Sequence, residues 1–176
     1  MKQLLLLRHA QAEPKPLLGD DFERALSPAG RAEAVVVGRY LRTHDLCPDY
    51  ALVSGARRAV ETWETVAAQV DGDATGSFDD SLYSAAPQGL LFEIGRFPDA
   101  AERALVVAHN PAIHALVVGL IGGRNNPEAA KLLKGDMPPA TLAHFVFPAA
   151  NWQAVIPGSG ALEAFLTPTQ QADKSG

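Results

Sequence analysis

Leu4-Leu5-Leu6-Leu7-Arg8-His9 is the stretch on which the fold turns. The apolar run has the length of a buried strand, and a basic pair stands where it stops. The arrangement recurs twice: Ala51-Leu52-Val53 leads to Ser54 and then Arg58, and Ala104-Leu105-Val106-Val107-Ala108 leads to His109. A helix-compatible stretch follows each run. In an open α/β sheet, ligands bind outside the carboxyl ends of the strands. Three such strands would bring two histidines and two arginines to one rim, a set suited to a phosphoryl group.

The surrounding sequence supports that architecture. A polar, proline-rich loop from Gln11 to Leu26 follows the first run. Ser27-Pro28 then opens a helix to about Thr43, with serine as N-cap and proline at the first position, where its missing N–H costs nothing. Cys47-Pro48-Asp49 is a turn before a strand from Tyr50 to Val53 and a helix from Gly55 to about Val70. Asp71 to Ser77 reads as a loop, and Leu90 to Arg96 as helical after Pro87. The strand Ala104 to Ala108 precedes Asn110-Pro111, a cap with a first-turn proline, and a helix to about Ile121. A short helix is expected from Pro127 to Lys134, then a hairpin of strands at about Thr141 to Phe147 and Gln153 to Ile156. Strands alternating with helices mean α/β with a mostly parallel central sheet, here with an antiparallel edge. One domain is expected over residues 1–166, and 167–176 is a polar tail.

Composition narrows the function classes. The 176 residues, 47% apolar and 20% charged, suit one globular domain. A net charge of -5 leaves no basic stripe to displace counterions, which argues against nucleic-acid binding. Cys47 is the single cysteine, so no disulfide framework exists and a reducing, cytoplasmic setting is expected. No apolar stretch has the length of a signal-peptide core or a membrane span.

A phosphoryl-transfer site needs a nucleophile, donors for three equatorial oxygens and a route for the leaving group. His9 fits the nucleophile, because a neutral imidazole can form a phosphoramidate. Arg8 and Arg58 offer planar, permanently charged forks, and His109 stands just before a helix N-terminus, which favours an anion. The two arginines are expected to disfavour the charged form of His9 and so keep it nucleophilic.

Arg8-His9-Ala10, the set Ser54, Arg58, Ala59 and Thr62, and the run Val106-Val107-Ala108-His109-Asn110-Pro111 together resemble the histidine phosphatase superfamily. Within it they are similar to the small SixA-type phosphohistidine phosphatases. Asp20-Asp21-Phe22-Glu23-Arg24-Ala25-Leu26 with Ser27-Pro28-Ala29-Gly30, and Leu82-Tyr83-Ser84-Ala85, resemble SixA-type stretches too, so the similarity spans roughly residues 2–147. The resemblance implies a three-layer α/β/α, phosphoglycerate-mutase-like fold. It also implies His9 as nucleophile and Arg8, Arg58 and His109 as the phosphate clamp. The register selects Arg58 over Arg57, since Ser54, Arg58 and Thr62 share a helix face from which residue 57 points away. Ala10 stands where the family carries glycine. The glutamate acid of the phosphoglycerate-mutase-like branch has no matching copy, the interval offering only Asp79, Asp80 and Glu93. Arg24, with Asp21, is placed at the substrate mouth.

Other chemistries fit less well. His109 and His114 are spaced badly for zinc, and His44 and His144 have no matching partner. Asp71-Gly72-Asp73-Ala74-Thr75 resembles an aspartyl-nucleophile pattern but follows a helix rather than a strand. Cys47 lacks the arginine of a cysteine-phosphatase loop, and Ser54 lacks a nucleophile elbow. The expectation is a monomeric, metal-independent phosphatase without cofactor, acting through phospho-His9 on phosphohistidine of a protein. Its alternatives are a small-molecule phosphomonoesterase with Asp80 or Glu93 as acid, and a non-catalytic phosphate-binding module.

Overall fold

Alternate leucines of the opening run face opposite sides of a sheet. The computed structural model describes residues 1–15, 17–72, 74–121 and 135–170. In it β1 (Lys2–Arg8) sends Leu4 and Leu6 into one apolar layer and Leu5 and Leu7 into the other. A strand covered on both faces has no solvent side, which is why its sequence is apolar without interruption. β2 (Tyr50–Ser54) and β4 (Arg103–Ala108) are built the same way, with Val106 on the Leu6 side and Val107 on the Leu7 side.

Six strands form one sheet in the order β3-β2-β4-β1-β5-β6. β3 (Thr75–Asp79), β2, β4 and β1 run parallel, whereas β5 (Leu142–Phe147) lies antiparallel to β1, and β6 (Ala161–Leu166) antiparallel to β5. Helices α1 (Pro28–Thr43) and α2 (Arg57–Ala67) cover one face through Val37, Leu41, Trp63 and Val66. Helices α3 (Pro87–Ile94) and α4 (Ala112–Leu120) cover the other through Leu90, Ile94, Ile113 and Val117. The result is the expected three-layer α/β/α arrangement. Ser27 caps α1 by accepting from the Gly30 amide at 3.0 Å, with Pro28 at the first position. Gly30 must lack a side chain, since a Cβ there would collide with the Gln11 backbone.

Three expectations are corrected. Residues 75–79, inside and beyond the expected loop, are strand β3. It is an edge with one neighbour and Phe78 half exposed, so no apolar run announces it. The last strand is Ala161–Leu166, not Gln153 to Ile156. Trp152–Ala154 instead forms a 3-10 turn that drives Trp152 fully into the α3/α4 layer, its indole N–H on Ala101 O. Asn110 does not cap α4, which begins at Ala112 after a cis Asn110-Pro111 bond; its side-chain amide turns to Asp136 and Met137. The helix expected from Pro127 to Lys134, and the tail beyond residue 170, lie outside the described residues. Among the described residues no helix is long and apolar enough to cross a membrane.

Candidate active site

β4 lies between β1 and β2, so the three strands that end in Arg8, Ser54 and Ala108 are immediate neighbours. Their register pairs Leu7 with Val107 and Val53 with Val107, which brings the residues beyond them to one rim. His9 and His109 meet there with ring centroids 5.0 Å apart and planes at 51°.

The His9 tautomer follows from its contacts. Nδ1 lies 2.8 Å from Ala10 O, and a carbonyl can only accept, so Nδ1 carries the proton. Nε2 is left with its lone pair, to which Arg58 Nε donates at 3.3 Å. Burial above all, then His109, Arg58 and Arg8, pushes the His9 pKa down to about 3. The arginines thus contribute as expected, but burial is the larger cause.

His109 is neutral for similar reasons, its pKa pushed down to about 4 by burial and then Arg58, with Asp21 opposing. Its Nε2 lies 2.7 Å from Ser54 Oγ. That hydroxyl accepts from the Ala56 amide at 3.4 Å, leaving its own hydrogen free to donate to Nε2. The imidazole proton then sits on Nδ1, which is buried and has no partner. Arg8 Nε is orphaned in the same way, while its Nη1 donates to Met137 O at 2.6 Å. A buried donor without a partner costs about 1–3 kcal/mol, and an anion would satisfy both.

Arg58 is buried in the first turn of α2, and Arg57 is half exposed and paired with Glu61 at 2.8 Å. The helix-face argument therefore separates the two arginines correctly. Thr62 Oγ1 donates to Arg58 O at 2.6 Å and accepts from the Ala10 amide at 3.0 Å, tying α2 to the strand end. Ala10 itself is fully buried in the α1/α2 layer and needs no left-handed backbone, so its Cβ is accommodated.

The loop after β1 supplies the rest. Arg58 Nη1 donates to Asp21 O at 2.7 Å and Nη2 to Asp21 Oδ2 at 3.1 Å. Asp21 also receives the Tyr83 hydroxyl at 2.9 Å and pairs with Arg24 Nε at 3.2 Å. Burial alone would raise the Asp21 pKa, but Tyr83, Arg58, Arg24 and Lys15 outweigh it and hold the carboxyl below its ordinary value. Arg24 Nη1 donates to Glu13 O at 3.1 Å, so this arginine braces Asp21 and the loop base. The sequence does not single out Tyr83 by itself. Its ring lies 5.5 Å from the Arg58 guanidinium and edge-on to His109 at 5.5 Å. Only the stretch Leu82-Tyr83-Ser84-Ala85 hinted at it, because a residue in a 3-10 turn has no periodic pattern to betray its direction.

The proposed acids fall elsewhere. Glu93 pairs with Arg96 and shares a cavity with Tyr50, Leu52 and Phe97, with neither histidine of the site among the lining residues. Asp80 rests its carboxylate against Gly55, where a Cβ would collide with it. His44 stacks on Tyr40, and His144 contacts Gln3, both outside the site. Among the described residues no three metal-ligating side chains cluster.

The profile of the histidine phosphatase superfamily (branch 1) matches residues 4–82. A protein of Mycobacterium tuberculosis is 34% identical over 164 residues, covering 92% of this chain and 99% of its own, and one of Mycobacterium leprae is 31% identical over 165. A crystal structure from Agrobacterium tumefaciens, provisionally named phosphohistidine phosphatase SixA, superposes with a TM-score of 0.80 at 25% identity over 95% of this chain and 98% of that one. A similarly named protein from Nakamurella gives 0.81 at 26%, over 95% and 96%.

Proposed function

The chain belongs to the histidine phosphatase superfamily, and from that premise we propose that it removes phosphate from phosphohistidine on a protein, through a phospho-His9 intermediate. The observation that carries the reading is the His9 geometry: Nδ1 is bound to Ala10 O, so Nε2 presents a lone pair at neutral pH. Nε2 attacks phosphorus in line as the bond to the leaving group breaks. Arg8, Arg58 and His109 Nδ1 hold the equatorial oxygens, satisfying the orphaned donors. Arg58 Nε gives up His9 as it turns to the phosphate. Water then hydrolyses phospho-His9, releasing phosphate. Arg24 takes part in substrate binding by bracing Asp21, which holds Arg58.

A protein substrate is favoured by the mouth. Leu17 and Leu18 stand fully exposed on the loop whose base grips Arg58, a surface that an apolar patch on a partner would cover. The catalytic domain spans residues 1–166 and acts as a cytoplasmic, metal-independent monomer. The test is rapid quench with a radiolabelled phosphohistidine protein beside a panel of phosphate monoesters. Acid-labile label should appear on His9, vanish in His9→Ala, and form faster from the protein than from sugar phosphates. Turnover by a folded His9→Ala variant, or rapid use of one small metabolite with the protein untouched, would overturn the reading.

A further inference from the structure

Residues 136–141, leading into β5, run beside the Arg8–His9 strand end as a strap. Arg8 N donates to Thr141 O at 3.1 Å, and Ala140 N is shared between Arg8 O at 3.2 Å and His9 O at 3.1 Å. The Arg8 side chain joins them, its Nη1 donating to Met137 O at 2.6 Å. The strap has little freedom of its own. Met137 is fully buried in the α3/α4 layer, Pro138 and Pro139 each have a fixed φ, and Ala140 is held at φ 54°, a left-handed backbone that residues with a Cβ seldom adopt. Such a conformation persists only where the surrounding structure over-determines it, and it clusters at functional sites.

Asn110 fastens the other edge. Its Nδ2 donates to Met137 O at 3.1 Å and to Asp136 Oδ1 at 3.3 Å, and the same Oδ1 accepts from the Met137 amide at 2.8 Å. Met137 O therefore accepts both from Arg8, at the end of β1, and from Asn110, one residue past His109. In a guanidinium, Nε and Nη2 share one edge, while Nη1 lies on the side of Cδ. Holding Nη1 on Met137 O leaves the Nε/Nη2 edge for a ligand, and Nε is buried and without a partner. That edge matches two oxygens of a phosphoryl group. Burial disfavours the Arg8 charge, and Asp136 is the carboxylate that offsets this.

We propose that Asn110 is a positioning residue for Arg8: through Met137 O and Asp136 it turns the Nε/Nη2 edge of the guanidinium to the phosphoryl group. The inference rests on the phosphatase reading above for its ligand. Asn110 spends both Nδ2 hydrogens on the strap, and its Oδ1 is buried, so it acts through Arg8 and not on the substrate. Without it, Met137 O and Asp136 lose their common tether to the end of β4. The guanidinium then swings on its long side chain, and its side-on edge is no longer fixed before the anion arrives.

The experiment is a double-mutant cycle read by vanadate affinity in calorimetry, which needs no turnover. Asn110→Ala is compared in the wild-type and in the Arg8→Ala backgrounds. It should weaken vanadate binding about tenfold in the wild type, since a misplaced contact costs on that scale. Once residue 8 is alanine the loss should shrink to about twofold or less, because substitutions that act through one side chain do not add. The kcat/KM for phosphoramidate, whose leaving group is only ammonia, should follow the same pattern. Asp136→Ala, at an exposed position, carries the same test if circular dichroism shows Asn110→Ala unfolded. Equal losses in the two backgrounds, or none in either, would overturn the positioning role and leave the phosphatase reading standing. Vanadate binding with the expected coupling, but no turnover of phosphoramidate or of a phosphohistidyl peptide, would remove the phosphatase reading alone. A wild-type protein that binds no vanadate would remove both.

Discussion

Acidification should unfold this protein earlier than its carboxylates require, because His9 and His109 are held neutral inside the fold. Their pKa values are pushed from 6.5 to about 3 and about 4, chiefly by burial, with 8% and 7% of each residue exposed. In the unfolded chain each histidine takes up a proton as pH falls below 6.5, whereas in the folded chain neither does until about 4 or lower. The unfolded state therefore binds more protons across that window, and stability must fall with falling pH. At pH 5 the solution is about 1.5 units below the unfolded value and still above both folded ones, worth about 2 kcal/mol per histidine at about 1.4 kcal/mol per unit. Urea unfolding at pH 7, 6 and 5 measures it, with His9→Gln as the reference. Wild type should lose about 2 kcal/mol more than His9→Gln between pH 7 and 5. His144, also shifted downward, is present in both proteins and cancels. The carboxyls of Asp21 and Glu61, held below their ordinary values, act at lower pH. Equal losses in the two proteins would show that His9 protonates as readily folded as unfolded, and the burial argument would fail.

The same groups shape catalysis: kcat/KM should hold from pH 7 to 5 and drop as the pH falls toward about 3, where protonation takes the lone pair of His9. Arg58→Ala should cost on the order of 10²–10³ in kcat, as loss of a charge-stabilising donor does, whereas Arg57→Ala should stay near wild type; equal losses would mean the wrong arginine faces the site. Asp21→Asn keeps the size but weakens the grip on Arg58 Nη2 and Arg24, so kcat should fall with far-UV circular dichroism unchanged, and Tyr83→Phe should do less. Activity should survive EDTA and be blocked by vanadate, since the arginines supply the positive charge; loss on chelation with recovery on added magnesium would refute that.

Much of this protein is legible locally. Strands covered on both faces must be apolar without interruption, so Leu4–Leu7 and Ala104–Ala108 declare both their position and the polar residue at their ends. Helical period alone separates Arg58 from Arg57, because a residue of turn decides which side chain enters the protein. Other features depend on partners distant in sequence. β3 and β6 are edge strands recruited by a neighbour's free backbone groups, so their own residues carry little pattern. The grip of Asp21 on Arg58 and Tyr83 joins residues 37 and 62 positions away. Burial, the first cause of the lowered basicity of His9 and His109, exists only once α2, β4 and the loop have closed around them. The sequence alone determined which residues reach the rim, since that follows from strand length and helix period. Only the tertiary structure decided their protonation and their partners, because desolvation and long-range hydrogen bonds are properties of the packed chain.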